Sequence, residues 1–192
     1  DSRSQCDIGA LQLVSVPDHS YMLHKPFGIL SLHSDEGGRQ GWGALGLPFS
    51  QDVYSIGRLD ADSEGLLLFT NNNRFKTQLL DPANGHSRTY HVQVEGEPSE
   101  SQMEALQRPM TLRIKGKPFQ TRGCQARVIH PQWPERKPPI RVRKSIPDTW
   151  LELTLTEGKN RQVRRMTAAV GLPTLRLIRV AMGAWTLGDL KP

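Results

Sequence analysis

Leu66-Leu67-Leu68-Phe69 is the most restrictive stretch in the chain. Four consecutive bulky apolar residues cannot alternate between core and solvent. Bounded by the turn-forming Ala61-Asp62-Ser63-Glu64-Gly65 and by Asn71 to Asn73, they predict a short strand buried on both faces. Val53 to Asp60 predicts a strand that ends in the preceding loop, which places Asp60 at a strand end beside a tight turn.

The remaining segments mix strand and helix signals. Tyr21 to His24 predicts a strand, bent at Pro26 and Gly28 and resumed as an extended segment over Ile29 to Leu32, and residues 34–48 predict a loop. Asn71 to Asn73 can cap a helix that Asp81-Pro82 stops. Arg88 to Val94 alternates as a strand, Pro98 opens a helix through Gln107, and Thr111 to Ile129 reads as a hairpin around Lys115-Gly116-Lys117. Residues 130–147 combine prolines, cations and a tryptophan and predict an ordered surface loop. Trp150 to Leu155 predicts a strand, Arg161 to Val170 a helix ended by Gly171 and Pro173, and Leu175 to Val180 a last strand.

At 192 residues and 36% hydrophobic content the chain can bury one substantial core, and one domain with two lobes is expected. No run approaches the roughly 18 apolar residues of a spanning helix, and the first twenty residues lack a secretory signal pattern, so a cytoplasmic protein away from membranes is expected. Cys6 and Cys124 stand far apart without a CxxC pairing, which suggests neither a zinc site nor a disulfide framework. The six histidines are scattered and receive no role.

The net charge of +6 is unevenly spread. Residues 1–112 hold eight Lys/Arg against fourteen Asp/Glu, whereas residues 113–179 hold sixteen against four. A basic excess confined to one segment is the electrostatic footprint of a nucleic-acid partner, although a solvated surface gives the same count.

Three elements carry chemistry: GRLDADSEGLLLFT at 57–70, RTYHVQV at 88–94 and EGKNRQVRRM at 157–166. A carboxylate at a strand end, backed by a buried strand, is a rigid mount for a nucleophile, provided a cation keeps it ionised. Taken alone, Asp60 serves equally well as a turn cap. On a helix beginning near Arg161, Val163, Met166 and Val170 form the apolar stripe, and Arg164 lies at its border, about 100° from Val163. Its stem can be buried while its fork reaches a carboxylate, so Arg164 is the expected partner of Asp60. Arg161 and Arg165 read as a solvated or phosphate-contacting face. Tyr90 offers an aromatic face and an acid–base hydroxyl to a base extruded from folded RNA, or it is a half-buried strand tyrosine.

These motifs, together with KPFG at 25–28, resemble in order those of the bacterial ribosomal pseudouridine synthases, in the small-subunit synthase A branch. PPIRVRKSIP at 138–147 and RQVRRMTAAVGLPTLRLIR at 161–179 resemble a large-subunit enzyme, which implies a uridine in large-subunit ribosomal RNA, free or within an assembly particle. The resemblance implies an α+β fold: a mixed, largely antiparallel sheet with flanking helices, in two lobes around a central active-site cleft. It makes Asp60 the catalytic aspartate, Tyr90 the residue stacked on the uracil, Arg164 the ion-pair partner of Asp60 and Leu177 an apolar wall. Arg58 would fill the gap left by the extruded nucleotide, and the basic loop with Arg143 and Lys144 would contact RNA. Residues 1–20 form an N-terminal extension and 21–192 the catalytic domain. A monomer without cofactor or metal is implied. Arg88 departs from the resemblance, standing where many relatives carry lysine.

The implied reaction cleaves the N1–C1′ bond, turns the uracil and rejoins it through C5, with Asp60 either attacking C1′ or taking the 2′ proton. Two rivals fit parts of the pattern. A glycosylase would pair Asp60 with Asp62 or Glu64 as acid and base and release free uracil, and a non-catalytic RNA-binding factor would tolerate loss of Asp60.

Overall fold

The computed structural model describes Val14–Val16 and residues 19–192, apart from positions 142 and 144; the side chains of Val14–Val16 are not described. The chain divides into two compact units, one of residues 1–76 with 187–192, the other of residues 77–186.

In the first unit, β1 (Val14–Val16) pairs antiparallel with β2 (Ser20–Lys25), and β2 pairs with β4 (Glu64–Thr70) from Tyr21 opposite Phe69 to Lys25 opposite Gly65. β3 (Tyr54–Ile56) pairs with the C-terminal end of β4, from Tyr54 opposite Thr70 to Ile56 opposite Leu68. Every residue of β4 is buried, as its unbroken apolar run predicted. Leu23, Leu67 and Phe69 join Val53, Leu59 and Trp42 in one cluster. Each such side chain contributes roughly 1.5–3 kcal/mol over its exposed state. Trp42 opens a 3₁₀ turn (Trp42–Leu45) inside the predicted loop and meets Phe69 edge-on at 5.1 Å. Gly41 lets that loop close, because a Cβ there would lie 2.5 Å from the carbonyls of His33 and Ser34. Helix α1 (Asn73–Leu80) is capped by Asn72, whose Oδ1 accepts from the Phe75 amide at 3.0 Å.

Two sequence expectations fail in this unit. The extended segment over Ile29 to Leu32 makes only an isolated bridge between Leu30 and Gly41, and the strand ending at Asp60 is confined to Tyr54–Ile56. The Leu30 amide donates to the Gln40 carbonyl and the Leu32 carbonyl accepts from the Trp42 amide, so the first segment closes on its own loop, while the Ser31 hydroxyl bonds the Leu59 backbone and holds the second as loop.

The second unit is built on four antiparallel strands in the order β10 (Thr174–Met182), β5 (Arg88–Glu95), β9 (Asp148–Leu155), β8 (Gln125–Ile129), with β11 (Trp185–Thr186) on β10. The predicted hairpin is shorter than Thr111 to Ile129. β6 (Thr111–Ile114) and β7 (Lys117–Gln120) pair only with each other, while β8 joins the larger sheet. Both turn residues have positive φ, 49° at Lys115 and 78° at Gly116, the twist that two-residue hairpins need.

Helix α2 (Glu100–Gln107) begins with a capping box in which the Ser99 and Gln102 side chains each bond the other's backbone. Leu106 of α2 and Val163 and Met166 of α3 (Gln162–Ala169) share a core with Val92, Leu151, Leu153 and Leu177. The stripe read from the sequence therefore faces inward. Gln102 also donates to the Val170 carbonyl at 2.7 Å and satisfies the end of α3. No helix among the described residues is long and apolar enough to cross a membrane.

Candidate active site

Asp60 lies in the first unit, partly exposed, on a loop held at three places. The Ser31 hydroxyl donates to the Leu59 carbonyl at 2.8 Å and accepts from the Leu59 amide at 2.9 Å. The Gly28 amide donates to the Ala61 carbonyl at 2.7 Å, and the Ser63 amide to the Asp60 carbonyl at 3.0 Å. The KPFG turn that supplies Gly28 is itself anchored by Lys25. This side chain is fully buried, and its ammonium donates to the Pro26 and Ile29 carbonyls at 2.9 and 2.7 Å. A buried ammonium is tolerated because carbonyl oxygens replace its water. The carboxylate thus sits on a backbone with little freedom, which is what a reacting group requires. Arg58, two residues earlier, is exposed.

The neighbouring acids separate by burial. Glu64 is 3% exposed at the start of β4, so it has no open face to offer a substrate; Asp60 and Asp62 are the accessible carboxylates of the loop.

In the second unit the structure brings Tyr90 and Leu177 together. In the antiparallel register Val92 stands opposite Leu177 and Tyr90 opposite Arg179. Alternation along each strand then puts Tyr90, Val92, Leu177 and Arg179 on one face. That face packs against α3, since Tyr90, Val92 and Leu177 belong to the same cluster as Val163 and Met166. Arg164, next to Val163, is half-buried at the border of the stripe, as the helical spacing predicted.

The motif EGKNRQ builds the entry to α3. The Glu157 carboxylate accepts from Gln162 Nε2 at 2.6 Å and from the Arg122 amide at 2.9 Å. Gln162 in turn accepts from the Lys159 amide at 3.0 Å. Arg161 holds a left-handed conformation, φ 51°, that turns the chain into the helix. Arg165 donates to the Arg113 carbonyl at 2.9 Å and the Asn160 carbonyl at 3.3 Å through exposed bonds that tie α3 to β6. Arg88 donates to the His86 carbonyl at 3.2 Å, and its guanidinium covers Gly158, where a Cβ would approach it to 3.3 Å.

Within the basic loop, Arg143 is exposed and pairs with Glu95 at 3.4 Å, and Lys144 lies outside the described residues. Not every cation of residues 113–179 faces solvent: Arg176 and Arg179 are 4% and 3% exposed. Arg176 donates to the Pro134 carbonyl at 2.8 Å. The Arg179 guanidinium bonds the Tyr90 phenol. Burial pushes its pKa below the ordinary arginine value, Tyr90 opposes that shift, and Arg88 adds to it. Sequence reading missed Ser31, Arg179 and a third group. Trp133 Nε1 donates to His91 Nδ1 at 3.0 Å, and His91 Nε2 lies 3.2 Å from Glu152, which also holds Arg127 at 2.8 Å. A histidine inside an alternating strand was the only available signal for the last.

The family model for RNA pseudouridylate synthase matches residues 19–169. The chain belongs to the RNA pseudouridylate synthase family. The synthase is 50% identical over 176 residues to the ribosomal large subunit pseudouridine synthase E of Xanthomonas axonopodis pv. citri, a match covering 89% of each protein. The protein of the same name in Xanthomonas campestris pv. campestris is 49% identical over 174 residues, 89% of this chain and 90% of that one. A solved crystal structure of a pseudouridylate synthase matches with a TM-score of 0.72 at 24% identity, over 90% of this chain and 66% of that chain, and shows the same α+β fold of a sheet flanked by helices.

These relatives overturn the placement in the small-subunit synthase A branch. The motifs behind that placement serve the chemistry of the family as a whole. They do not separate its branches, which whole-chain identity does. The synthase is an isomerase that converts uridine in RNA to pseudouridine.

Proposed function

We propose that the synthase modifies a specific uridine of large-subunit ribosomal RNA, with Asp60 as the catalytic carboxylate. The observation that carries the reading is the loop around Asp60, where Leu59 is bonded to the Ser31 hydroxyl, Ala61 to the Gly28 amide, and the carboxylate itself stays accessible. Identity of 50% to a protein named for large-subunit modification supports the choice of RNA.

In this reading Asp60 drives cleavage of the N1–C1′ bond. Arg164 is its ion-pair partner, Tyr90 stacks on the freed uracil and takes part in moving the C5 proton, and Leu177 walls the ring. Rejoining through C5 returns a proton to N1, so the atoms balance without imported groups. Arg58, exposed beside the loop, enters the RNA stack. Exposed cations of the second unit, Arg113, Lys115, Lys117, Arg141 and Arg143 among them, neutralise phosphates. We further propose that residues 21–192 form the catalytic domain behind an N-terminal extension, acting as a monomer in the cytoplasm. Burial of Glu64 leaves the glycosylase alternative only its Asp60 and Asp62 form, which product analysis separates from the synthase.

Mapping pseudouridine by reverse-transcription stops in ribosomal RNA from cells carrying wild-type protein or Asp60→Asn tests the reading. A large-subunit stop that disappears with Asp60→Asn is expected. An unchanged stop pattern, or free uracil as the product in vitro, would sink it.

A further inference from the structure

Arg179 is buried to 3% exposure and stands directly opposite Tyr90 across the β5–β10 pair, with its guanidinium bonded to the phenol. A register shift follows at once, between Arg179 and Ala181. Such a bulge bends the strand and re-aims the side chains beside it. Burying a guanidinium is costly, so the groups around it must hold it in a fixed place. Arg88 makes the position costlier still, since it lies near enough to repel Arg179.

The hydrogen bond has a direction. Guanidinium has only donors, so the phenol oxygen accepts and keeps its own hydrogen to donate elsewhere. The ring is thereby held against rotation about its oxygen, and negative charge that develops on that oxygen meets a fixed cation.

We propose that Arg179 is a positioning residue that orients the Tyr90 hydroxyl for proton transfer at the uracil. The inference rests on the role given to Tyr90 above and adds the group through which that role is set. Arg179 itself touches no substrate in this proposal.

The experiment compares wild type with Arg179→Met, Arg179→Lys, Tyr90→Phe and the double variant Tyr90→Phe/Arg179→Met. kcat, KM and the kinetic isotope effect are measured on ribosomal RNA carrying uridine or 5-deuterouridine. Arg179→Met should lower kcat about 10²-fold, the low end of what a positioned acid or base contributes, while KM changes far less. Its 5-deuterium isotope effect should rise. Arg179→Lys should recover part of kcat, and the double variant should be no slower than Tyr90→Phe. Full kcat in Arg179→Met, or effects of the two substitutions that multiply, would overturn the proposal. If Tyr90→Phe keeps full kcat, the hydroxyl role of Tyr90 fails as well; if Tyr90→Phe is slow and Arg179→Met is not, only Arg179 is removed. Should Arg179→Met fail to fold, Arg179→Lys with and without Tyr90→Phe decides by the same comparison.

Discussion

The Ser31 hydroxyl holds both polar groups of Leu59, donating to its carbonyl at 2.8 Å and accepting from its amide at 2.9 Å, and so fixes the peptide immediately before Asp60. Ser31 is 4% exposed and Leu59 7%, so removing the hydroxyl strands two buried backbone groups. Ser31→Ala should cost roughly 1–3 kcal/mol of stability. It should also lower kcat by about ten- to a hundredfold through loss of alignment at Asp60. Thermal unfolding and single-turnover rates measure both, and Ser31→Thr should restore much of each. Wild-type turnover in Ser31→Ala would show that the loop holds Asp60 without it.

Arg164 offers a sharper test of the proposed ion pair. Half-buried on α3 beside Val163, it is less available to phosphate than the exposed cations of the same segment. Arg164→Ala should therefore reduce turnover by about two orders of magnitude or more while RNA affinity changes only a few-fold. Filter binding beside single-turnover kinetics separates the two effects. Equal losses in affinity and rate would make Arg164 a phosphate contact.

The His91, Trp133 and Glu152 contacts give a pH dependence of stability. Burial is the largest influence on His91 and pushes its pKa below the ordinary value, against the pull of Glu152. Neutral His91 can accept from Trp133 at Nδ1 and donate to Glu152 at Nε2, whereas protonation would set two N–H groups against each other at Trp133. The unfolded chain, with histidine near 6.5, takes up the proton first. The contribution is therefore fully present above about pH 6.5 and is lost as pH falls from there toward the folded value. In that window stability should fall as the pH falls, with a slope below the one-proton ceiling of about 1.4 kcal/mol per pH unit, and His91→Gln should reduce it. Denaturant titrations between pH 5 and 8 are the measurement. A gain in stability on acidification would mean that Glu152 outweighs burial.

Cys124 should be chemically quiet. Its thiol donates to the Leu106 carbonyl at 3.2 Å, and burial, with Glu157 nearby, pushes its pKa up to about 12. At neutral pH its thiolate fraction is then roughly 10³-fold below that of a free cysteine near 8.5. In a Cys6→Ser variant, iodoacetamide should label the native protein at least that much more slowly than the urea-unfolded protein. Rapid native labelling would show that the segment opens readily.

Elements whose evidence is local were legible in the amino-acid order. The run at 66–69 could only be an inside strand, the spacing of Val163, Met166 and Val170 set the inward face of α3, and Arg164 fell at its border. Motif order alone was enough to reach the family. Pairing between distant positions was not legible there and came from the fold: Ser31 with Leu59, Arg179 with Tyr90, His91 with Trp133. Each depends on strand register or on where a loop comes to rest. A one-residue slip would send every such side chain to the opposite face without altering local propensity. The segment Ile29 to Leu32 failed as a strand for the same reason. Its residues suit extended backbone, but its backbone groups bond the loop at Gln40 and Trp42 and its Ser31 hydroxyl bonds Leu59, 28 positions away in sequence, and no periodicity records those choices.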